Sequence, residues 1–260
     1  SREGRLAVLD GLLRQLVLPR RPHGAASPIL RRASPEAAAV GFFVGCVSRG
    51  LQAPTADSAR VVLERLGMPL SVPAQQTCCG AMHRHNGHPG AADRLLTRNR
   101  EAFANKTAVG FASACVAELQ QGMDAVELCR LLVDARWPAQ LRLRPLPALV
   151  AVHEPCSHRN LLRDTRAVYA LLGRIPELRV LALDGNDSCC GAAGTYLLDH
   201  TETALSLAAD KVRDVAALGP RFLVTTNTGC AAHLAARLRA AGLEVEVVHP
   251  VDLIARQLPA

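Results

Sequence analysis

"LVTTNTGCAAHL", residues 223–234, decides the fold, because "VGFASACVAEL", residues 109–119, repeats its design. Each opens with a short apolar run suited to a buried strand. Each then sets a cysteine, Cys230 or Cys115, where a helical pattern begins. Working outward, "AVGFFVGCVSRG" at 39–50 matches "ALVAVHEPCSHRN" at 148–160, an apolar run followed by Cys46 or Cys156. "CCGAMHRHNGHPGAADRLLTRNREAF" at 78–103 matches "CCGAAGTYLLDHTETALSLAADKVRD" at 189–214, a cysteine doublet, a glycine loop and a helix. The offsets are 110 (46 to 156), 111 (78 to 189) and 115 (115 to 230). Three features at nearly constant offset mark an internal duplication.

The second copy gives the clearest element order. "LPALVAV", "LRVLAL", "RFLVTT" and "LEVEVV" have strand character. Between them lie helical patterns: "RDTRAVYALLGRI" with Val168, Leu171 and Leu172 at helical spacing, an Ala-rich run opened by Thr201, and a run stopped by Gly242. A last helix starts at Pro250. The first copy follows the same order with a weak last strand. Alternation of strands and helices implies parallel sheets with right-handed crossovers. The expected fold is α/β: two tandem, pseudo-symmetric, Rossmann-like parallel-sheet units over 37–145 and 146–260, each with a Cys…CysCysGly…Cys motif. The proline-rich "RWPAQLRLRPLP" at 136–147 is the expected joint. Residues 1–36 stand apart as an amphipathic helix, with Leu6, Leu9, Leu13 and Leu16 on one face, and a Pro/Arg linker.

The chain has 260 residues, 49% of them apolar, enough for a substantial core. Its net charge of +7 comes from scattered arginines, with Lys106 and Lys211 the sole lysines and aromatics at 3%. No aromatic platform accompanies the charge, so nucleic-acid binding is disfavoured. The longest apolar run, 37–47, is about half the ~20 residues of a membrane-spanning helix. Nine cysteines without a secretory signal argue for a reducing compartment and for metal or redox chemistry. The expected location is cytoplasmic, with peripheral association at the inner face of the membrane compatible with the sequence. A chain that begins at Ser1 is expected to be part of a longer protein.

Each copy supplies four repeated thiols: Cys46, Cys78, Cys79 and Cys115 in the first, Cys156, Cys189, Cys190 and Cys230 in the second. Four thiolates hold an iron–sulfur cubane or, alternatively, a tetrahedral zinc ion. In an open parallel sheet the loops at the carboxyl ends of the strands gather on one edge, so cysteines distant in sequence meet there. Helix N-termini at that edge favour an anionic group. Adjacent cysteines are too close to bond to each other and suit two positions on one metal group. Cys129 has no counterpart and is assigned to core packing. His83, His85 and His88 crowd the first doublet and are taken as solvated. His153, His158 and His233 are weaker candidates near the second set. Thr195 and Tyr196 are assigned to packing.

The duplicated C-x(31–39)-C-C-G-x(35–39)-C pattern resembles the cysteine-rich CCG domain found in heterodisulfide reductases, lactate-utilisation iron–sulfur proteins and the glycolate oxidase iron–sulfur subunit. "CCGAAGTYLLDHTETA", "TTNTGCAAHL" and "LERLGMPLSVP…TCCGA" look most like the last of these. The likeness spans roughly residues 38–258. It implies an iron–sulfur electron-transfer subunit, with 4Fe-4S in the second unit and the first as a further candidate. It also implies a flavin-containing partner that oxidises glycolate or a related 2-hydroxy acid such as lactate. The ferredoxin-type module of that family is absent from this chain and becomes an expected partner. No G-x-G-x-x-G follows a strand, so no flavin or nicotinamide site is expected here. Reductases of the heterodisulfide kind end each unit in C-x-x-C. Glu118 and His233 stand at those positions, which counts against the alternative of thiol–disulfide reduction. A zinc-stabilised scaffold without catalysis is the other alternative.

Overall fold

The computed structural model describes residues 40–104 and 106–259, so the helix expected in residues 1–36 lies outside the described residues. The first unit runs β1 (Val40–Phe43), α1 (Cys46–Leu51), α2 (Ala53–Arg65), β2 (Leu70–Ser71), α3 (Ala81–His85), α4 (Pro89–Phe103), β3 (Ala108–Gly110), α5 (Ser113–Leu119), β4 (Ala125–Glu127) and α6 (Leu128–Asp134). The second runs β5 (Ala148–Val152), a π-helical turn (Ser157–Leu162), α7 (Thr165–Leu172), β6 (Leu178–Ala182), α8 (Tyr196–Asp199), α9 (Thr201–Leu218), β7 (Phe222–Val224), α10 (Thr228–Ala240), β8 (Glu246–Val248) and α11 (Pro250–Gln257). Two four-stranded sheets result, ordered β2-β1-β3-β4 and β6-β5-β7-β8, with every neighbouring pair parallel. The weak last strand of the first copy is present as β4, paired with β3 from Ala108↔Ala125 to Gly110↔Glu127.

Strands β1, β3 and β7 are buried along their whole length, as helices on both faces of a parallel sheet require. This is why their sequences are continuous apolar runs rather than alternating ones. The principal core crosses from one unit to the other: Phe42, Leu63, Phe111 and Leu132 share it with Val150, Leu171, Leu172 and Leu253. The cross-packing is reciprocal. Helix α2 of the first unit lies on α11 of the second, and α7 of the second lies on α6 of the first. Since α2 corresponds to α7 and α6 to α11, the units are related by a pseudo-twofold axis.

At that axis two equivalent helix caps meet. The Glu127 carboxylate caps α6 by accepting from Cys129 N at 2.6 Å. The His249 ring caps α11 by accepting from Val251 N at 3.1 Å through Nδ1. That leaves the proton of a neutral ring on Nε2, which faces Glu127 Oε1 at 3.7 Å. Both residues are buried, and Cys129 beside them is fully enclosed, as core packing requires.

Candidate metal centres

Each predicted cysteine lies at the carboxyl edge of its sheet. Cys46 opens α1 just after β1, and Cys156 precedes the π-helical turn just after β5. Cys115 and Cys230 lie in the first turns of α5 and α10, behind β3 and β7. The doublets occupy the loops that leave β2 and β6.

The four thiols of each unit converge. Cys46 Sγ lies 3.5 Å from Cys78 Sγ, and Cys79 is hydrogen-bonded to both Cys78 and Cys115. In the second unit Cys190 Sγ lies 3.1 Å from Cys230 Sγ, and Cys189 is within hydrogen-bonding reach of both Cys156 and Cys190. The electrostatic pattern is the same in both. Cys78 is held well below the ordinary thiol range by the Cys46 and Cys79 thiols, helped by Gly80 N–H. Cys189 is lowered by Cys156 and Cys190, helped by Gly191 N–H at 3.3 Å. Cys46 and Cys156 are pushed up by donating to those two sulfurs, then by burial. In each unit one sulfur is biased towards the charged form by neighbouring thiols and a backbone donor, which suits a set that must lose protons to a metal.

The donors fit a thiolate-held metal group. The spacing adds a detail: a single tetrahedral ion with sulfur at about 2.3 Å keeps its thiolates about 3.8 Å apart. The Cys46–Cys78 and Cys190–Cys230 pairs, at 3.5 Å and 3.1 Å, lie closer still. A cubane places each thiolate on a different iron and spreads them further. Holding one therefore requires the thiols to part, and Cys46 and Cys156 are on the exposed side where that is easiest.

Glycines bring the doublets against their helices. Gly80 has φ +98° and Gly191 φ +84°, backbone that favours glycine. A Cβ at Gly80 would meet Ala92 Cα at 3.0 Å, and one at Gly191 would meet Ala204 O at 2.6 Å. Asn99 anchors the first doublet from α4, accepting from Thr77 N at 2.7 Å and donating to Cys78 O at 2.9 Å. In the second unit Lys211 of α9 takes this place, its ammonium donating to Gly185 O and, at 3.0 Å, to Ser188 Oγ. Neither anchor was marked by the sequence pattern. Asn227 could have been: it stands three residues before Cys230, and its Oδ1 accepts from Gly229 N at 3.0 Å and Cys230 N at 3.4 Å. Asn227→Ala removes this cap and is expected to cost about 1 kcal/mol in chemical denaturation. The first unit has no side-chain cap at Ala112.

The histidines divide. His83, His85 and His88 are exposed, as expected. His158 is committed to Thr226 Oγ1 at 2.7 Å and Asp164 O at 3.1 Å, away from the sulfurs. His233 faces Ala204 O at 3.3 Å, and Glu118 is tied to Arg84 at 2.7 Å. His153 is the one that reaches a cysteine set: a ring nitrogen lies within 4.8 Å of both Cys190 and Cys230 sulfurs. Thr195 donates to Asn86 Oδ1 at 2.9 Å across the units, and Tyr196 is partly exposed against His200.

A seam of small hydroxyl groups joins the two centres. Ser48 and Thr228 are 2.8 Å apart, as are Ser113 and Ser157. Each lies within two residues of a predicted ligand, so both cysteine sets border one seam on the pseudo-twofold axis.

Comparisons with known proteins agree with this arrangement. The model of the cysteine-rich domain family CCG matches residues 40–119 and again 150–235. The chain is 26% identical over 238 residues to the probable glycolate oxidase iron-sulfur subunit of Bacillus subtilis (strain 168), covering 83% of this chain and 54% of that protein. It is 26% identical over 234 residues to lactate utilization protein A of Oceanobacillus iheyensis, covering 83% of this chain and 96% of that protein. The chain thus spans about half the length of the first relative and nearly all of the second. A hypothetical protein from Helicobacter pylori shares the fold, with a TM-score of 0.65 at 11% identity over 96% of this chain and 53% of that one. With a Cys…CysCysGly…Cys set closing at the edge of each sheet, and the family pattern matched in both, the chain belongs to the cysteine-rich CCG domain family.

Proposed function

We propose that the chain is the iron–sulfur, electron-carrying part of a complex that oxidises a 2-hydroxy acid, glycolate or lactate. The observation that carries this reading is the closure of four thiols at the carboxyl edge of each sheet in a chain of this family. Its relatives' names, an iron-sulfur subunit of glycolate oxidase and a lactate utilization protein, supply the substrate class. Cys156, Cys189, Cys190 and Cys230 hold one group, and Cys46, Cys78, Cys79 and Cys115 hold the other. An iron–sulfur cluster supplies reversible one-electron storage in such a setting. Gly80 and Gly191 N–H groups stabilise sulfur charge, and the first turns of α5 and α10 present their N-termini to it. Substrate oxidation belongs to a flavin-containing partner, and a ferredoxin-type module passes electrons to or from this chain. The complex resides in the cytoplasm or against the inner face of the membrane. Among the described residues no helix is long and apolar enough to cross a membrane.

The close sulfur spacing favours a second reading, in which zinc fills one or both sets and the chain is a docking scaffold. Metal and sulfide analysis with electron paramagnetic resonance on anaerobically purified chain separates them. Iron with acid-labile sulfide and a reduced-state cluster signal is the expected result. Zinc without iron establishes the scaffold. An oxidised-state signal that changes with added thiol points to disulfide chemistry instead.

A further inference from the structure

The two cysteine sets are nearly identical, but their floors are not. Three residues before Cys46 the first unit has Phe43, which packs with Phe103 against Cys78, Cys79 and Cys115. Three residues before Cys156 the second unit has His153, buried, its Nδ1 3.0 Å from Thr225 Oγ1. Beneath the first doublet lies neutral Asn99, and beneath the second lies Lys211, both wholly enclosed. One site therefore rests on aromatic carbon and an amide, the other on an imidazole and an ammonium.

Lys211 is the unusual member. An enclosed ammonium is costly unless an anion balances it. Its hydrogen-bond partners, Gly185 O and Ser188 Oγ, are neutral. Asp214 Oδ2 approaches Gly185 on the same side, yet no ion pair joins it to Lys211 among the described residues. Ser188 immediately precedes Cys189, so the ammonium is anchored to the loop that carries the second doublet. The second site thus has an enclosed ammonium whose hydrogen bonds are to neutral groups, with the Asp214 carboxylate nearby as its countercharge.

We infer that Lys211 is the positioning and charge-balancing residue of the second site, and that it makes this site the more readily reduced of the two. The inference rests on the iron–sulfur reading above. Adding an electron to a thiolate-held cluster adds negative charge, and a fixed cation in a dry setting favours the reduced form. Phe43 and Asn99 offer the first site no such enclosed charge, and His83, which acts on Cys78, is exposed to solvent that screens it. A polar imidazole close to Cys190 and Cys230 acts in the same direction as Lys211, through its dipole.

The test is a redox titration of the anaerobically purified full chain, followed by electron paramagnetic resonance, with Cys78→Ser protein used to isolate the second site. Two midpoints are expected in the parent, the higher belonging to the site that survives in Cys78→Ser. Lys211→Met should move that midpoint to more negative potential and leave the other unmoved. Lys211→Arg, which keeps the charge, should restore it. His153→Phe should give a smaller negative shift. A lower midpoint for the second site, or Lys211→Met protein that binds iron with both midpoints unchanged, overturns this inference while leaving the iron–sulfur reading intact. Parent protein without iron overturns both. If Lys211→Met fails to fold, the Lys211→Arg and His153→Phe midpoints and the order of the parent's two sites still decide.

Discussion

Cys189→Ser protein, purified anaerobically, is expected to lose the second site's redox signal and the larger share of the iron, while Cys78→Ser protein loses the first site's signal and the smaller share. A serine oxygen is a harder and poorer ligand for iron–sulfur. Cys189 is the sulfur on which its set converges, with Cys156 and Cys190 against it and Gly191 N–H donating to it. Cys78 has the same role in the first unit, so local geometry does not separate the two. The surroundings do. Cys230 is buried and its helix is capped by Asn227, whereas Cys115 is half-buried on an uncapped helix. Lys211 adds a countercharge that the first unit lacks. Iron and sulfide measurements on both variants check the order. Equal loss removes the asymmetry, and full iron retention by Cys189→Ser removes the ligand assignment.

The second large effect is on folding. Gly191→Ala places a side chain on left-handed backbone, which alone costs about 1–2 kcal/mol. It also drives a Cβ to 2.6 Å from Ala204 O and 2.8 Å from Ala204 Cα, atoms of a helix backbone that cannot step aside cheaply. The melting temperature should therefore fall well beyond the effect of backbone strain. Gly219→Ala is the matched control, with φ +62° and nothing within 4 Å of the added carbon. It should show the backbone penalty alone. Thermal unfolding of the two variants side by side measures the difference, and similar losses would show that the doublet loop gives way without resistance. Iron binding should follow stability in Gly191→Ala and be retained in Gly219→Ala.

Much of this was legible in the sequence because duplication states everything twice. The runs around Phe42, Val150 and Leu223 could be assigned to buried strands by apolar content, and the cysteines after them follow from strand-to-helix turns. Convergence of Cys46 with Cys78, or of Cys190 with Cys230, followed from parallel topology. What stayed hidden was set by partners far along the chain. Lys211 lies within an amphipathic helical pattern, where a lysine normally points to solvent. Its enclosure depends on the loop at Gly185 and Ser188 folding over it. His153 and His158 flank Cys156 alike in sequence, yet Thr225 and Thr226, just past the end of β7, send one towards the sulfurs and the other away. The π-helical turn after Cys156 had no signature either. The structure packs it against α5 of the other unit.

The facing caps at the axis carry a historical consequence. Two like units related by a twofold are the geometry of a symmetric dimer whose subunits have been tied in tandem. In such an ancestor a residue on the axis meets its own copy, so a buried glutamate at this cap would face a second glutamate and repel it. Once both copies lie in one gene, the two positions are free to diverge. Glu127 opposite His249, with Cys129 matched by Val251, is the outcome of that freedom: a complementary pair that no homodimer of either half could make. Either half expressed by itself would carry an axis suited only to its mate.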